Sequence, residues 1–89
     1  MTTDPLRDAI ARDCPHRLAD YDGHLAGRQP TPAVTRLWRI EHAISRDPAL
    51  ETWFDEQYRA AQDTDDYTEA KARLEATSQR RAEITEGLK

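Results

Sequence analysis

The sequence predicts an all-α protein, a small bundle of four to five helices without a sheet. Apolar residues recur at three- and four-residue spacing along most of the chain, which is the period of an amphipathic helix. Three prolines directly follow a residue that favours helix N-caps, in Asp4-Pro5, Thr31-Pro32 and Asp47-Pro48. No sustained alternation of apolar and polar residues indicates a strand.

The length of 89 residues leaves room for one domain. We expect a single helical domain over residues 1–89, with these parts: short N-terminal helices at 4–27, a loop at 28–32, a central helix pair at 32–62 and a C-terminal helix at 64–86. Leu, Ile, Val and Phe together account for only 13 of the 89 residues. Because so short a chain buries a modest core, we expect a partner or a second copy to add stability.

The N-terminal part is predicted to form two short helices. The first covers residues 4–12, with Asp4 as its N-cap and Pro5 in its first turn. The second covers residues 15–26, and Gly27 is its expected C-cap. The apolar stripe of this second helix consists of Leu18, Tyr21 or Asp22, and Leu25.

The stretch from Thr35 to Tyr58 is the predicted centre of the fold, since it holds both tryptophans and the only phenylalanine. Its expected core nucleus is Leu37, Trp38, Ile40, Ile44, Leu50, Trp53 and Phe54. Trp38 falls at the edge of its stripe, so Trp53 is predicted to contribute more to stability. Glu41 projects on the apolar side and has two interpretations. It is either a flank carboxylate that reaches solvent or pairs with an arginine, or a buried polar group that contacts a partner.

The C-terminal helix is predicted to begin after Thr64, its expected cap, and to run from Tyr67 to about Glu86. Its predicted seam is Tyr67, Ala70, Leu74, Thr77, Arg81, Ile84 and Leu88. This seam is poor in large apolar residues, and helices depend on tertiary packing for most of their stability. The helix is therefore either loosely docked or the element that binds a partner.

Four residues are the only group with ligand types suited to a metal: Cys14, His16, Asp20 and His24. The paired motifs of zinc sites, such as CxxC or HExxH, are missing from the sequence. Cys14 is therefore interpreted as a small buried apolar residue. The sequence predicts no metal site, no cofactor and no catalytic residues, which argues against an enzyme.

Residues 55–70 hold six acidic side chains and one basic side chain, Arg59. These acids either form solvated helix ends and caps, or they provide a docking surface for a basic partner or a mimic of nucleic-acid phosphates. Our leading interpretation is a small acidic protein-interaction module, a regulator, inhibitor or antitoxin-like adaptor that binds another protein or its own copy. The candidate partner contacts are Glu41, Asp55, Glu56, Asp65, Asp66, Glu69, Leu74, Arg81 and Ile84.

The sequence shows no secretory signal and no apolar run of about 20 residues, the length of a membrane span. We therefore expect a cytoplasmic protein without a membrane partner. The formal net charge of −4 disfavours a general phosphate-binding surface.

The alternative function is DNA binding through residues 25–46. The segment LAGRQPTPAVTRLWRI, Leu25 to Ile40, resembles the turn and recognition helix of helix-turn-helix proteins. In that family the first residues of the second helix contact base edges in the major groove. The resemblance implies DNA contacts from Thr31, Thr35, Arg36 and Arg39.

Overall fold

The computed structural model describes residues 4–88. Within them the chain forms five α-helices, a short 3-10 turn and no strand, which confirms the predicted all-α fold. The elements are α1 (Pro5–Asp13), the 3-10 turn (Pro15–Arg17), α2 (Leu18–Leu25), α3 (Pro32–Ser45), α4 (Pro48–Asp63) and α5 (Tyr67–Gly87). No helix in this part of the chain combines the length and the apolarity needed to cross a membrane.

The chain divides after Asp47 into two compact units. The first unit contains α1, α2 and α3, and the second contains α4 and α5. The expectation of one domain over residues 1–89 remains a prediction. Residues 1–47 carry equal numbers of acidic and basic side chains, so the second unit holds the whole net charge of −4.

Local capping chemistry fixes the first residues of α1 and α3, as predicted. Asp4 Oδ1 accepts the backbone N–H of Arg7 at 3.1 Å, and Pro5 occupies the first helical position. Thr31 Oγ1 accepts the backbone N–H of Val34 at 3.2 Å, again with a proline in the first turn. Each cap satisfies a backbone donor that the first helical turn leaves without a partner.

The end of α2 differs from the prediction, because Ala26 and not Gly27 is the C-cap. Ala26 has a left-handed backbone with φ of 49°, and its N–H bonds to the carbonyl oxygen of Asp22. Gly27 follows with φ of 80°, so two successive residues are left-handed. Glycine tolerates this conformation freely, whereas a residue with a Cβ is strained by roughly 1–2 kcal/mol.

The core of the first unit gathers residues from all three of its helices. Its buried members are Ile10, Cys14, Tyr21 and Trp38. Partly buried aliphatic side chains pack around them: Leu6, Leu18, Leu25 and Val34. The rings of Tyr21 and Trp38 meet edge to face, with centroids 5.3 Å apart. The interpretation of Cys14 as a buried apolar residue is confirmed by its exposure of 1 %.

The predicted core nucleus is therefore partly wrong. Trp38, Ile44 and Phe54 are buried as expected, but Leu37 is 38 % exposed. Trp38 is 4 % exposed and central, not at the edge, whereas Trp53 is only half-buried. The reason is tertiary: α3 turns Trp38 inwards because partners for its indole lie on α2, which the period of α3 alone does not reveal.

The second unit consists of α4 and α5 packed against each other. Asp66, not Thr64, caps α5: its Oδ1 accepts the backbone N–H groups of Thr68 at 2.9 Å and Glu69 at 3.3 Å. Thr64 lies outside the helix, where its Oγ1 accepts the Asp66 N–H at 3.1 Å. Asp66 is the N-cap because it directly precedes the first helical residue, Tyr67.

The predicted seam of α5 is correct in part. Five of its seven residues are buried or half-buried: Ala70, Thr77, Arg81, Ile84 and Leu88. Thr77 is buried at 3 %, but Leu74 is 46 % exposed and Tyr67 is 79 % exposed. Two arginines outside the predicted seam contact α4 instead. Arg73 Nη1 donates to Gln57 Oε1 at 3.2 Å, and the Arg80 guanidinium lies 5.4 Å from the centroid of the Trp53 ring. Long arginine side chains can cover apolar surface while their charged ends reach polar groups.

Candidate functional site

The exposed apolar side chains of α5 are the first feature of the candidate site. We call Tyr67 and Leu74 the outer flank of α5, because they stand seven residues, about two helical turns, apart and are both exposed. Large exposed apolar groups are informative when they stand together on one face. Two further candidate contacts, Arg81 and Ile84, are half-buried on α5.

Acidic side chains on α4 and in the following loop form the second feature. Asp55 and Glu56 on α4 are exposed, as is Asp65 in the loop. The carboxylate of Asp66 instead accepts the backbone N–H groups at the start of α5 as its N-cap. Glu69 accepts a hydrogen bond from the Thr64 hydroxyl at 3.1 Å, and its carboxylate lies 3.6 Å from Arg73. The predicted acidic run thus contains both solvated acids and acids with a local structural role.

Glu41 lies in the first unit and pairs with an arginine, the first of its two alternatives. Arg17 Nη1 lies 3.3 Å from Glu41 Oε2 and donates to Ser45 Oγ at 2.8 Å. The same guanidinium stands 5.1 Å from the centroid of the Trp38 ring. Because the Glu41 side chain is only 19 % exposed, its carboxylate contributes to the packing of α3 against the residues before α2.

A second polar link joins α1 to α3 through Asp13. Its carboxylate accepts two hydrogen bonds from Arg12, at 3.0 and 3.1 Å, and one of its oxygens lies 2.8 Å from His42 Nε2. The hydrogen bonds from Arg12 and then His42 lower the pKa of Asp13 to about 2. No signal in the sequence indicates this link, because Asp13 and His42 are 29 residues apart in the chain.

The four residues with metal-ligand types have separate environments. Cys14 is buried in the core, and His16 is exposed. Asp20 pairs with Arg17 at 3.1 Å, and His24 Nδ1 accepts the indole N–H of Trp38 at 2.9 Å. Across residues 4–88, no group of three or more His, Cys, Asp or Glu side chains is arranged to hold a metal ion.

The residues implicated in DNA binding lie at the start of α3. Thr31 uses its hydroxyl oxygen to cap the helix, and Thr35 is half-buried. Arg36 and Arg39 are exposed and lie three residues apart on the same helix. The exposed arginines thus share a helix with the tightly packed Trp38, which limits contacts with DNA to the outward side of α3.

A cleft in the first unit was not predicted. It has a volume of about 480 Å³ and is lined by Asp4, Pro5, Leu6, Tyr21, Leu25, Arg28, Gln29, Pro30 and Thr35. The hydroxyl of Tyr21, one of these lining residues, donates to Asp4 Oδ2 at 2.7 Å. Burial and then this hydrogen bond raise the pKa of Tyr21 to about 12. The only signal in the sequence was the position of Tyr21 in the apolar stripe of α2.

Arg7 links α1 to α2 next to Leu6, a lining residue of this cleft. Its Nε and Nη2 donate to the two carboxylate oxygens of Asp22, each at 2.9 Å. The hydrogen bonds from Arg7 lower the pKa of Asp22, and the same contacts raise the pKa of Arg7. Paired bonds of this type fix orientation as well as distance, so they hold the two helices in register.

Comparison with known protein families, characterised proteins and solved structures finds no match to this chain. Three features of the structure bear on function: the outer flank of α5, the acidic side chains of α4 and the cleft of the first unit.

Proposed function

We propose that this chain is a small cytoplasmic protein-interaction module, a regulator, inhibitor or adaptor, that binds another protein through its second unit. One observation carries the proposal: α5 leaves Tyr67 and Leu74 79 % and 46 % exposed, while Thr77 on the same helix is buried. A helix that leaves a tyrosine and a leucine in solvent while it buries a threonine is suited to a further contact. Tyrosine is also among the residues enriched in protein interfaces.

The charge of the second unit supports a basic partner. Residues 48–69 contain seven acidic side chains and one basic side chain. Complementary charge raises the rate of encounter and selects among partners more than it adds affinity. Asp55, Glu56 and Asp65 therefore steer a basic partner, and the outer flank of α5 provides the apolar contact.

The proposal is tested with the full-length protein and matched variants. Tyr67→Ser combined with Leu74→Ser removes the outer flank, and Ala72→Ser is the control because Ala72 is exposed on the other side of α5. Quantitative affinity capture from the native source should show proteins that bind the wild type and the control but not the flank variant. Equal capture by all three forms would reject the outer flank as the binding surface.

Self-association is tested by the same variants. Sedimentation velocity over a wide concentration range should show a concentration-dependent dimer for the wild type and for Ala72→Ser if the partner is a second copy. The flank variant should then remain monomeric. A wild type that remains monomeric throughout would leave a different protein as the partner.

DNA binding through α3 is the second candidate function, favoured by the exposure of Arg36 and Arg39 on one helix. Binding that depends on phosphate contacts weakens steeply as salt increases. Fluorescence anisotropy with duplex DNA should show no salt-sensitive binding if the protein-interaction function holds. Salt-sensitive binding that Arg36→Gln combined with Arg39→Gln abolishes would favour this second function.

A further inference from the structure

We propose that the cleft of the first unit binds a free α-amino acid with an apolar side chain. The cleft lies where the first turn of α1, the middle of α2, the loop after α2 and the start of α3 meet. Its volume of about 480 Å³ is within the range of small-molecule sites, which is roughly 300–1,000 Å³. The proposal is independent of α5 and of the protein-binding function.

The lining of the cleft combines apolar and polar groups. Its apolar walls are formed by Pro5, Leu6, Leu25 and Pro30, and Tyr21 also belongs to the lining. Tyr21 is fully buried at 0 % exposure, and its edge-to-face contact with Trp38 fixes the ring. An aliphatic or aromatic side chain of a ligand would therefore replace water against apolar walls that are already in place, which favours binding.

Asp4 supplies the negative charge in the cleft. One of its carboxylate oxygens accepts the backbone N–H of Arg7, and the other accepts the hydroxyl of Tyr21. An ionised carboxylate has about four acceptor positions, so two remain for an ammonium group. The two existing hydrogen bonds hold the carboxylate in place, so the ammonium meets an oriented acceptor.

Arg28 supplies the positive charge. Its side chain is exposed, and no acidic side chain of residues 4–88 forms a salt bridge with it. A guanidinium matches the planar geometry of a carboxylate with two parallel hydrogen bonds. Gln29 and Thr35 add neutral hydrogen-bonding groups to the lining. A cleft with one carboxylate, one guanidinium and apolar walls is complementary to an apolar amino acid, which carries both charges on one carbon.

The loop that carries Arg28 begins at the left-handed end of α2. Ala26 is left-handed with φ of 49°, and Gly27 follows with φ of 80°. Left-handed residues are common where a helix ends, and they turn the chain away from the helix axis. Arg28, Gln29 and Pro30 follow directly and line the cleft.

The test is a titration of the full-length, ¹⁵N-labelled protein with L-leucine, followed by NMR. Isopentylamine lacks the carboxylate and 4-methylpentanoate lacks the ammonium, so the two compounds isolate each charge. The indole of Trp38 contacts the ring of Tyr21, a lining residue, so its signal should shift, whereas the indole of Trp53 in the second unit is the internal reference. We expect saturation by L-leucine at about millimolar concentration and at least about tenfold weaker binding of both analogues.

Matched variants test which residue binds the carboxylate of the ligand and which binds its ammonium group. Arg28→Gln should weaken L-leucine binding about tenfold and abolish its advantage over isopentylamine. Arg36→Gln makes the same charge change at an exposed position outside the cleft and should leave binding unchanged. Asp4→Asn keeps a good capping residue, and should abolish the advantage of L-leucine over 4-methylpentanoate. The proposal is overturned if no signal saturates, or if Arg28→Gln and Arg36→Gln have equal effects.

Discussion

The indole N–H of Trp38 donates a hydrogen bond of 2.9 Å to Nδ1 of His24. This bond joins α3 to α2 at a residue that also contacts the ring of Tyr21 and the guanidinium of Arg17. Nδ1 can accept only when the imidazole is neutral and carries its proton on Nε2. Trp38 thus combines apolar burial with a satisfied polar atom, which makes it the central side chain of the first unit.

We predict that Trp38→Ala destabilises the protein more than Trp53→Ala. Trp38 is 4 % exposed, whereas Trp53 is half-buried. Truncating a fully buried aromatic residue costs roughly 3–5 kcal/mol, a large part of the stability of so small a protein. Urea unfolding of both variants, followed by circular dichroism, measures the difference. A larger loss from Trp53→Ala would place the core in α4.

Replacing Trp38 with phenylalanine separates packing from hydrogen bonding. Trp38→Phe keeps most of the ring burial but leaves His24 without the indole donor. We expect a smaller loss than for alanine, with about 0.5–1.5 kcal/mol of it due to the hydrogen bond. The double variant Trp38→Phe, His24→Ala should then cost less than the sum of the two single changes. Additive losses would show that the bond contributes little.

Asp13 should make the stability of the protein depend on pH in the acid range. Its pKa is lowered to about 2 by hydrogen bonds from Arg12 and His42, against about 3.9 in an unfolded chain. A lowered carboxyl pKa means that the contribution is fully present above about pH 3.9 and is lost as the pH falls towards 2. Chemical unfolding from pH 6 to pH 2 should therefore show a stability gap between wild type and Asp13→Asn that closes over this interval.

The control for Asp13 is Asp8→Asn, because Asp8 is also on α1 but is exposed. Its stability should follow the wild-type profile through the same pH range. If the gap for Asp13→Asn stayed constant down to pH 2, the contribution of Asp13 to stability would not depend on the ionisation of its carboxyl group.

The cap of α5 gives a prediction on the second unit. Asp66→Ala removes the acceptor of two backbone N–H groups, which typically costs about 1 kcal/mol. Thr64→Ala should cost less, because Thr64 accepts one N–H outside the helix. Thermal unfolding should therefore show the lower melting temperature for Asp66→Ala. The reverse order would support the sequence-based choice of Thr64.

Local signals in the sequence were sufficient for the helix starts but not for the centre of the core. Asp4-Pro5 and Thr31-Pro32 were predicted correctly because a cap depends on residues within one turn. The burial of Trp38 depends on Tyr21 and His24, which belong to another helix. Such tertiary contacts decide which of two adjacent stripes of a helix faces inwards.

The candidate sites likewise include features that the sequence reveals and features that depend on tertiary packing. The acidic run and the small number of large apolar residues in α5 were visible in the sequence, since both are properties of composition. The cleft was not, because Asp4, Tyr21 and Arg28 are brought together only by the packing of α1, α2 and the loop. The contacts of Arg73 and Arg80 with α4 were also missed, because a hydrophobic pattern does not count long charged side chains.

Hydrogen exchange should distinguish α5 from the first unit. The described part of the second unit buries one large apolar side chain, Phe54, together with the polar Gln57 and Thr77. Polar side chains supply little of the apolar burial that holds helices together. We therefore expect the amides of residues 70–84 in the isolated monomer to exchange faster than those of α1 and α3 around Ile10 and Trp38.

Binding should reverse this difference. If the outer flank of α5 contacts a partner or a second copy, exchange at residues 70–84 should slow in the complex or at high protein concentration, because opening of the helix then requires dissociation. The flank variant Tyr67→Ser with Leu74→Ser should lose this added protection, and Ala72→Ser should keep it. Exchange in α5 that is as slow as in α1 and α3 at the lowest concentration would mean that α4 alone holds the helix. The exposed side chains of Tyr67 and Leu74 would then be ordinary surface residues.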